Sequence, residues 1–303
     1  MSNFKKVCVL SGGVSNEREV SLDSGRNVAE ALSGLGTYDV VPVVLDRESV
    51  DGIPACDACF LALHGGWGES GGIQSALDAK GIPYTGPGAA ASRLAMDKIA
   101  TKQALEKSGV PTPDWVVATA GNLDSVLPPS GFPCVVKAPR DGSSVGVYLA
   151  KDETEFRRAI GDAIAIDGRE ALIEKFIDGR EMTVAVLCGE PLPAVEIRAR
   201  GGWYGYEEKY RSDETEYVFP SDGFIGDLQR MAVKAYETCG CRGAVRVDFR
   251  IGGDGSAYVL ELNTLPGMTS HSLVPKAAAK AGIPFPELCG RIIENATFDR
   301  IGQ

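Results

Sequence analysis

Apolar and polar residues alternate along the first ninety residues in a way that predicts a parallel α/β domain. Apolar runs typical of buried strands occur at residues 5–10, 39–46, 58–65 and 82–86, and amphipathic stretches typical of helices occur at 18–36 and 71–81. Strands joined through helices of this length form parallel sheets with crossover connections. We therefore expect an N-terminal doubly wound parallel sheet.

The rest of the chain predicts one long helix and two smaller α+β units. Residues 88–109 read as a continuous helix that ends at Gly109, shortly before Pro111 and Pro113. Strands are predicted at 133–139, 147–150, 171–177, 183–189 and 192–199, helices at 153–165 and 227–240, and a hairpin at 244–263. We expect three lobes, at 1–88, 89–180 and 181–303.

The hairpin near residue 250 places four polar residues on one face. Asp254-Gly255 is a dipeptide that favours a two-residue type I′ turn, and counting outward from it puts Asp248 opposite Glu261. Arg246 then lies opposite Asn263, and all four side chains share a face because alternate strand residues do. Two directly opposed carboxylates repel each other, and a divalent cation such as Mg²⁺ would remove that penalty. The alternative is a solvated face on which Arg246 neutralises one acid.

Glycine-rich segments elsewhere suggest where phosphate binds. The loop RDGSSVG follows Lys137 directly, and backbone N–H groups in such loops can surround a phosphate. No Walker A sequence occurs, and SGGVSNE does not fit the dinucleotide G-x-G-x-x-G pattern. The aromatic and charged segment GGWYGYEEKYRSDETEY, with Lys209-Tyr210 at its centre, predicts a lid over the bound phosphate.

Polar residues near the predicted sheet edge are candidate substrate ligands. Asn16 and Glu19 resemble a capping box, which would place Glu17 in the first helical turn. A carboxylate there stabilises the helix dipole whether or not it binds a ligand. His64 follows the third strand, where α/β proteins form their sites, although histidines in loops are more often simply solvated.

Composition excludes several classes of protein. The 303 residues are 44% hydrophobic and 24% charged, which is typical of a globular chain and not of a disordered or coiled-coil one. The formal net charge of −10 argues against a nucleic-acid partner. No apolar run reaches the roughly 18 residues of a membrane span, and no signal peptide is evident, so we expect a cytoplasmic location and no membrane partner.

The eight cysteines offer a competing hypothesis of a structural zinc site. Cys56 and Cys59 form a C-x-x-C pair, and Cys239 and Cys241 form a C-x-C pair. The pairs lie about 180 residues apart, unlike those of compact zinc modules. We therefore favour the reading that these cysteines are small buried hydrophobic residues.

Several segments, in order, resemble the D-alanine–D-alanine ligases of the ATP-grasp superfamily. They are SGGVSNEREVS, ALHG, MDKIATK, VVKAPRDGSSVGV, EKFIDGREMTVAVL, EEKYRSDETEY, VRVDF and LELNTLPGMTSHSLVPKAAAKAG. NTLPGMTSHSLVP together with the GSSVGV loop is highly specific, and the resemblance spans nearly the whole chain. It implies a three-lobed ATP-grasp fold with ATP as a substrate, two Mg²⁺ ions that Mn²⁺ can replace, and a homodimer.

The resemblance also implies roles for individual residues. ATP would be bound by Lys98, Lys137, Ser143, Ser144, Glu174, Lys175, Ile177, Glu181, Trp203 and Lys209, with Glu181 on the ribose hydroxyls. The metal ligands would be Asp248, Glu261 and Asn263. D-Alanine would be bound by Glu17, His64, Arg246, Gly267, Ser272 and Leu273. The residues assigned to catalysis are Glu17, Ser143, Tyr210, Arg246 and Ser272, of which Glu17, Ser143 and Tyr210 would link to close the lid.

The implied activity is synthesis of D-alanyl-D-alanine for peptidoglycan precursors through an acyl phosphate. One departure is the segment HGGWGESGG, where the family often reads H-G-x-x-G-E-D-G, so Ser70 replaces an acid and Trp67 adds bulk near His64. Three alternatives stay open: a D-alanine–D-lactate ligase, another ATP-grasp carboxylate–amine ligase, and an ATP-binding module without turnover. Tyr210 favours the dipeptide product over the lactate ester.

Overall fold

The computed structural model describes residues 4–142, 145–198 and 215–300. Strands are β1 Lys6–Gly12, β2 Asp39–Leu45, β3 Ala58–Leu61, β4 Trp115–Thr119, β5 Cys134–Lys137, β6 Val147–Ala150, β7 Glu170–Lys175, β8 Gly179–Leu187, β9 Glu190–Pro191, β10 Val195–Arg198, β11 Glu216–Val218, β12 Ala244–Gly252 and β13 Ala257–Asn263. Helices are α1 Arg18–Gly34, α2 Gly66–Glu69, α3 Gly72–Lys80, α4 Ala89–Met96, α5 Lys98–Lys107, α6 Glu153–Asp167, α7 Ile225–Thr238, α8 Leu273–Lys280 and α9 Phe285–Glu294.

The first domain is a parallel sheet in the order β2-β1-β3, as the alternation predicts. One face packs under α1 and α9, and the other packs against α3 through Ile73 and Leu77. The run at 82–86 is not a strand, since it pairs through the single residue Tyr84. The capping box is also absent, because the cap residue of α1 is Glu17 and makes no side-chain cap hydrogen bond.

The helix predicted at 88–109 is two helices, because Asp97 interrupts it. Asp97 has extended backbone angles, and its carboxylate accepts hydrogen bonds from Ile99 N at 3.0 Å and Ala100 N at 3.1 Å. It therefore ends α4 and caps α5, as aspartate commonly does. The backbone N–H of Lys98 donates to Pro139 O at 3.0 Å, which places the start of α5 beside the loop after β5.

Two antiparallel sheets follow. The central sheet has the order β4-β7-β5-β6 and is covered by α6, whose Phe156, Ile160 and Ala163 are buried. The C-terminal sheet has the order β11-β10-β8-β12-β13, with β9 paired to β8, and α7 packs against it. Together with the parallel domain they form the α/β and α+β arrangement that the sequence predicts.

The β12–β13 hairpin has the predicted register at its far end but a different turn. Gly252 N donates to Ser256 O at 2.9 Å, so the connecting loop contains the three residues 253–255, with Gly255 at φ 83°. A β-bulge between Asp248 and Phe249 then offsets the longer loop, and Asp248 still lies opposite Glu261. Leu260 is the extra residue that the bulge leaves without a partner on β12.

The C-terminal helix α9 returns to the first domain. Its buried residues Leu288, Ile292 and Ile293 join the same apolar cluster as Val7 and Leu32. Beyond α9, Thr297 exchanges backbone hydrogen bonds with Tyr84 at 3.0 and 3.1 Å. Across the described ranges, no helix is long and apolar enough to cross a membrane.

Candidate active site

One face of the β12–β13 ladder gathers Arg246, Asp248, Glu261 and Asn263. Arg246 donates to both oxygens of Asp248, from Nε at 2.8 Å and from an Nη at 2.9 Å. Thr183 on β8 donates its hydroxyl to Asp248 Oδ1 at 2.6 Å. Arg246 thus neutralises one acid, as the alternative reading expects, but Asp248 is only 8% exposed, so the face is not simply solvated.

The donor set on this face fits a divalent cation. The amide oxygen of Asn263 is buried and has no hydrogen-bond partner among the described residues. A buried acceptor without a partner is costly, and a cation held also by Asp248 and Glu261 would satisfy it. Carboxylate and amide oxygens are ligands that Mg²⁺ accepts together with phosphate oxygens and water.

A cleft lies between the central and C-terminal sheets and opens next to this face. It is lined by every described residue that the resemblance assigns to ATP: Lys98, Lys137, Glu174, Lys175, Ile177 and Glu181. Lys98 extends from the start of α5 and its Nζ lies 2.8 Å from Asp141 O and 3.2 Å from Glu261 Oε2. The cleft therefore combines lysine charges with apolar walls such as Val135 and Leu260, as a nucleotide requires.

Glu174 is buried between two lysines at the back of the cleft. Its Oε2 lies 2.5 Å from Lys137 Nζ, and its Oε1 lies 2.6 Å from Lys102 Nζ. Although burial opposes it, Lys137 and Lys102 lower the pKa of Glu174, so the carboxylate stays ionised. Burial lowers the pKa of Lys102, which the charge of Glu174 opposes. The pairing fixes where Lys137 presents its ammonium group.

His64 links the first domain to the segment that follows β13. Its Nδ1 lies 3.0 Å from Leu265 O, and its Nε2 lies 3.0 Å from Ser24 Oγ. A carbonyl oxygen can only accept, so Nδ1 carries the proton and Nε2 accepts from the Ser24 hydroxyl. Burial lowers the pKa of His64, with the charge of Glu17 opposing, which keeps the ring neutral.

Glu17 lies where three segments meet. A β-carbon on Gly65 would lie 2.6 Å from Glu17 Oε2, and one on Gly142 would lie 3.7 Å from the same atom. Gly65 also has φ 65°, so both conformation and space favour glycine there. The carboxylate of Glu17 is therefore close to the predicted phosphate loop as well as to the segment after His64.

A second carboxyl group, Glu69, was not singled out by sequence reasoning. Its Oε2 accepts a hydrogen bond from Gly65 N at 3.0 Å. Burial raises the pKa of Glu69 to about 7, and the charge of Glu17 raises it further, while backbone hydrogen bonds and Arg246 act in the opposite direction. The sequence shows a glutamate at this position of HGGWGESGG, but it does not show that the side chain is buried, because the burial arises from tertiary contacts.

Gly267, Ser272 and Leu273 meet at the N-terminus of α8. A β-carbon on Gly267 would lie 2.7 Å from Ser272 Oγ, so the side chain of Ser272 lies close to the backbone of Gly267. Ser272 is the cap residue of α8, and its hydroxyl accepts from Thr269 N at 3.0 Å. Leu273 is buried. The N-terminus of a helix suits a carboxylate, which is what the resemblance implies here.

Other predicted site residues lie outside the described ranges: Ser143, Ser144, Trp203, Lys209 and Tyr210. Most of the predicted lid lies there too. Conversely, the structure adds Lys102 and Arg250 to the cleft region, and neither stands out in the sequence because each lies within an ordinary helix or strand pattern.

The cysteines do not gather into a zinc site in the described part of the chain, where no group of three or more His, Cys, Asp or Glu side chains could hold a metal ion. Cys56 Sγ lies 3.8 Å from Cys59 Sγ in one apolar cluster, while Cys239 belongs to another. All eight cysteines are free thiols.

Comparisons with known proteins identify the family to which the chain belongs. The family model of the D-Ala–D-Ala ligase C-terminus matches residues 104–294. The chain belongs to the D-alanine–D-alanine ligase family. A D-alanine–D-alanine ligase of Desulforudis audaxviator is 44% identical over 306 residues, covering 96% of this chain and 98% of that protein. A ligase of this family from Syntrophotalea carbinolica is 43% identical and covers 97% and 96%.

Solved structures of the D-alanine–D-alanine ligase family share the whole fold. The crystal structure of the Bacillus anthracis D-alanine–D-alanine ligase complexed with ATP has a TM-score of 0.83 at 34% identity and covers 97% of both chains. The Coxiella burnetii ligase has a TM-score of 0.84 at 25% identity, covering 97% of this chain and 94% of that one. The three-lobed ATP-grasp fold expected from the resemblance is thereby confirmed.

Proposed function

We propose that the chain joins two D-alanine molecules to D-alanyl-D-alanine at the expense of ATP, for peptidoglycan precursor synthesis. The observation that carries the proposal is the ladder face of Arg246, Asp248, Glu261 and Asn263 at the mouth of a lysine-lined cleft. Family membership and the ATP complex of the Bacillus anthracis relative support ATP as the nucleotide.

In the proposed reaction, the carboxylate of the first D-alanine attacks the γ-phosphorus of ATP and ADP leaves. The amine of the second D-alanine then attacks the acyl phosphate, loses a proton, and displaces inorganic phosphate. Lys98 and Lys137 supply positive charge to the phosphates, and Glu174 holds Lys137 in place. Mg²⁺, held by Asp248, Glu261 and Asn263 when bound, would neutralise charge between phosphoryl oxygens.

The two amino acid sites follow from the remaining polar groups. Glu17 would bind the ammonium group of the first D-alanine beside Gly65 and Gly142. Arg246, held by Asp248 with two hydrogen bonds, would stabilise the oxyanion of the tetrahedral intermediate. Ser272 and the start of α8 would receive the carboxylate of the second D-alanine. Neutral His64 fixes the segments that carry these groups.

The chain's wider setting is part of the proposal. We expect a homodimer in the cytoplasm, lobes divided at 1–88, 89–180 and 181–303, and two Mg²⁺ ions per active site that Mn²⁺ can replace. Ser143, Ser144, Trp203, Lys209 and Tyr210 would complete the nucleotide site and close it during the reaction.

The first test is phosphate release from ATP with Mg²⁺ and D-alanine, with L-alanine as the control for stereochemistry. We expect one phosphate per D-alanyl-D-alanine, and no D-alanine-dependent release from Asp248→Ala. Asp254→Ala, a carboxylate in the loop of the same hairpin, is the matched control and should turn over normally. ATP binding without D-alanine-dependent turnover would refute the ligase proposal and leave an ATP-binding module.

A second arm separates the dipeptide from the ester. With D-alanine and D-lactate together, we expect D-alanyl-D-alanine as the main product over the whole pH range. A product that is mainly D-alanyl-D-lactate would assign the chain to the depsipeptide ligases instead.

A further inference from the structure

Arg250 and Glu181 form a largely buried ion pair in the nucleotide cleft. They are directly opposite residues on β12 and β8, with Arg250 Nη2 3.5 Å from Glu181 Oε2. Their side chains are 11% and 17% exposed, and both residues line the cleft. Arg250 is also anchored by a hydrogen bond from its Nη1 to Gly179 O at 3.0 Å.

The pair continues the ladder that carries the chemistry. Arg246, Asp248 and Arg250 are alternate residues of β12, so their side chains share a face. Asp248 lies opposite Thr183, and Arg250 lies opposite Glu181 two residues further along. Two residues span about 6.6 Å of strand. Arg250 therefore stands one step farther than the metal ligands from Arg246, toward the nucleoside end of the cleft.

The chemistry of a sugar diol explains why a cation would be useful there. Vicinal hydroxyl groups donate two hydrogen bonds, and a carboxylate accepts both only if its plane is correctly turned. A guanidinium group paired with one carboxylate oxygen limits how that plane can turn. An apolar residue at position 250 would leave Glu181 without this constraint.

We propose that Arg250 is a positioning residue for ribose selectivity, holding the Glu181 carboxylate so that it accepts hydrogen bonds from both the 2′ and 3′ hydroxyls of ATP. Arg250 acts through Glu181 and touches no reacting atom. The proposal rests on the proposed function, since that function makes the cleft a nucleotide site.

The test compares ATP with 2′-deoxyATP, using direct binding by calorimetry to the full-length protein as well as steady-state kinetics. The wild type should bind ATP about tenfold more tightly than 2′-deoxyATP, the value of roughly one hydrogen bond to a charged group. Arg250→Met preserves the apolar stem, and in it we expect the ratio to fall to within about twofold. The loss should lie in affinity for ATP, with kcat within about twofold of the wild type because the reacting atoms are untouched.

Two further variants isolate the pathway through Glu181. In Glu181→Gln, adding Arg250→Met should have no additional effect on the ratio, because the residue through which Arg250 acts has been neutralised. Arg180→Met is the matched control: Arg180 is the neighbouring residue on the opposite face of β8, paired with Glu196 at 2.9 Å, and its loss should leave the ratio unchanged. If Arg250→Met does not fold, Arg250→Lys, which keeps the charge without the planar fork, should lower the ratio by about twofold or more.

An unchanged ratio in Arg250→Met, or in Arg250→Lys if the methionine variant does not fold, would overturn the proposal. This includes an equal loss of affinity for both nucleotides, which would indicate that Arg250 contacts the base or the phosphates directly. Failure of the proposed function is distinguishable, since it would appear as wild-type ATP binding without turnover while the binding ratio could still be measured. A wild type that does not discriminate the two nucleotides also overturns the proposal.

Discussion

At the scale of single residues, the site depends on side chains held by partners from other lobes. Lys98 of the central lobe contacts Glu261 of the C-terminal sheet, and His64 of the first domain contacts Leu265. Glu69 and Asn263 differ from these residues, because the burial of their polar atoms carries a free-energy cost. Each of these two residues leads to a prediction of its own.

Glu69→Gln should make stability less sensitive to pH. Because the folded-state pKa is about 7 and the ordinary value is 4.5, the folded protein binds more protons between these values, and its stability falls as pH rises through that window. Glutamine stays neutral, so its advantage over the wild type should grow from pH 4.5 to 7, on the order of 1–3 kcal/mol. Chemical denaturation at several pH values measures this, with the exposed Glu237→Gln as the control.

Asn263→Ala should raise the Mg²⁺ concentration needed for half-maximal rate by about tenfold or more, since one of the proposed oxygen ligands is lost. Saturating Mg²⁺ should restore part of the rate. Asn295→Ala, at an exposed position after α9, should behave as the wild type. An unchanged Mg²⁺ dependence in Asn263→Ala would mean that the buried amide oxygen is satisfied in some other way.

Sequence patterns predicted some residues of the candidate site and missed others. The hairpin face of Arg246, Asp248, Glu261 and Asn263 could be predicted from strand alternation together with an assumed two-residue turn, and the pairing is right because the bulge compensates for the longer loop. Lys102 could not, because a lysine in an amphipathic helix is usually exposed, and its burial depends on Glu174 from a distant strand. The assignment of Lys98 to the phosphates required the family resemblance.

At the scale of elements, two of the errors in prediction have local causes. The helix over residues 88–109 has an unbroken amphipathic pattern, and only the capping preference of Asp97 signals that it divides. The hairpin turn was wrong by one residue, since the loop spans 253–255, yet the register at Asp248 was right because the bulge compensates. Periodicity shows which residues share a face, but it does not count the residues in a turn or a bulge.

Asp97→Ala should reduce both stability and ATP affinity. Loss of the cap should cost about 1 kcal/mol, and α5 then frays where Lys98 begins it, so we expect KM for ATP to rise by about threefold or more. Asp152→Ala removes the equivalent cap of α6, where Asp152 accepts from Glu155 N at 2.9 Å, away from the cleft. This control should also lose stability, with KM unchanged. A raised KM in both variants would point to general loosening instead.

At the scale of the whole molecule, the C-terminal helix packs back onto the N-terminal domain. The C-terminal helix α9 covers the sheet built by the first sixty residues, and Arg242 after α7 donates to Gly86 O at 3.0 Å. Residues of α9 are thus part of the hydrophobic core of the first domain. A piece consisting of residues 1–88 would lack this cover and expose one face of its sheet.

Leu288→Ala in α9 should destabilise the protein by about 2–5 kcal/mol, because Leu288 is fully buried against the first domain. Leu127→Ala, at a residue that is 66% exposed, should cost less than about 0.5 kcal/mol. Denaturant unfolding measures both. Hydrogen exchange should show the loss of protection in β1, nearly 280 residues away in sequence. Loss confined to α9 would show that the first domain is stable without it.

The β-bulge turns two neighbouring residues of β13 toward the proposed nucleotide site. In a regular strand Leu260 and Glu261 would face opposite sides, but both face the cleft, while Val259 and Leu262 on either side of them are core residues. Under the proposed function, an apolar wall of the nucleoside pocket and a carboxylate near the phosphates are therefore adjacent in the chain, with their Cα atoms about 3.8 Å apart. We expect this short and inextensible piece of backbone to fix the distance between the two groups that contact the nucleoside and the phosphates.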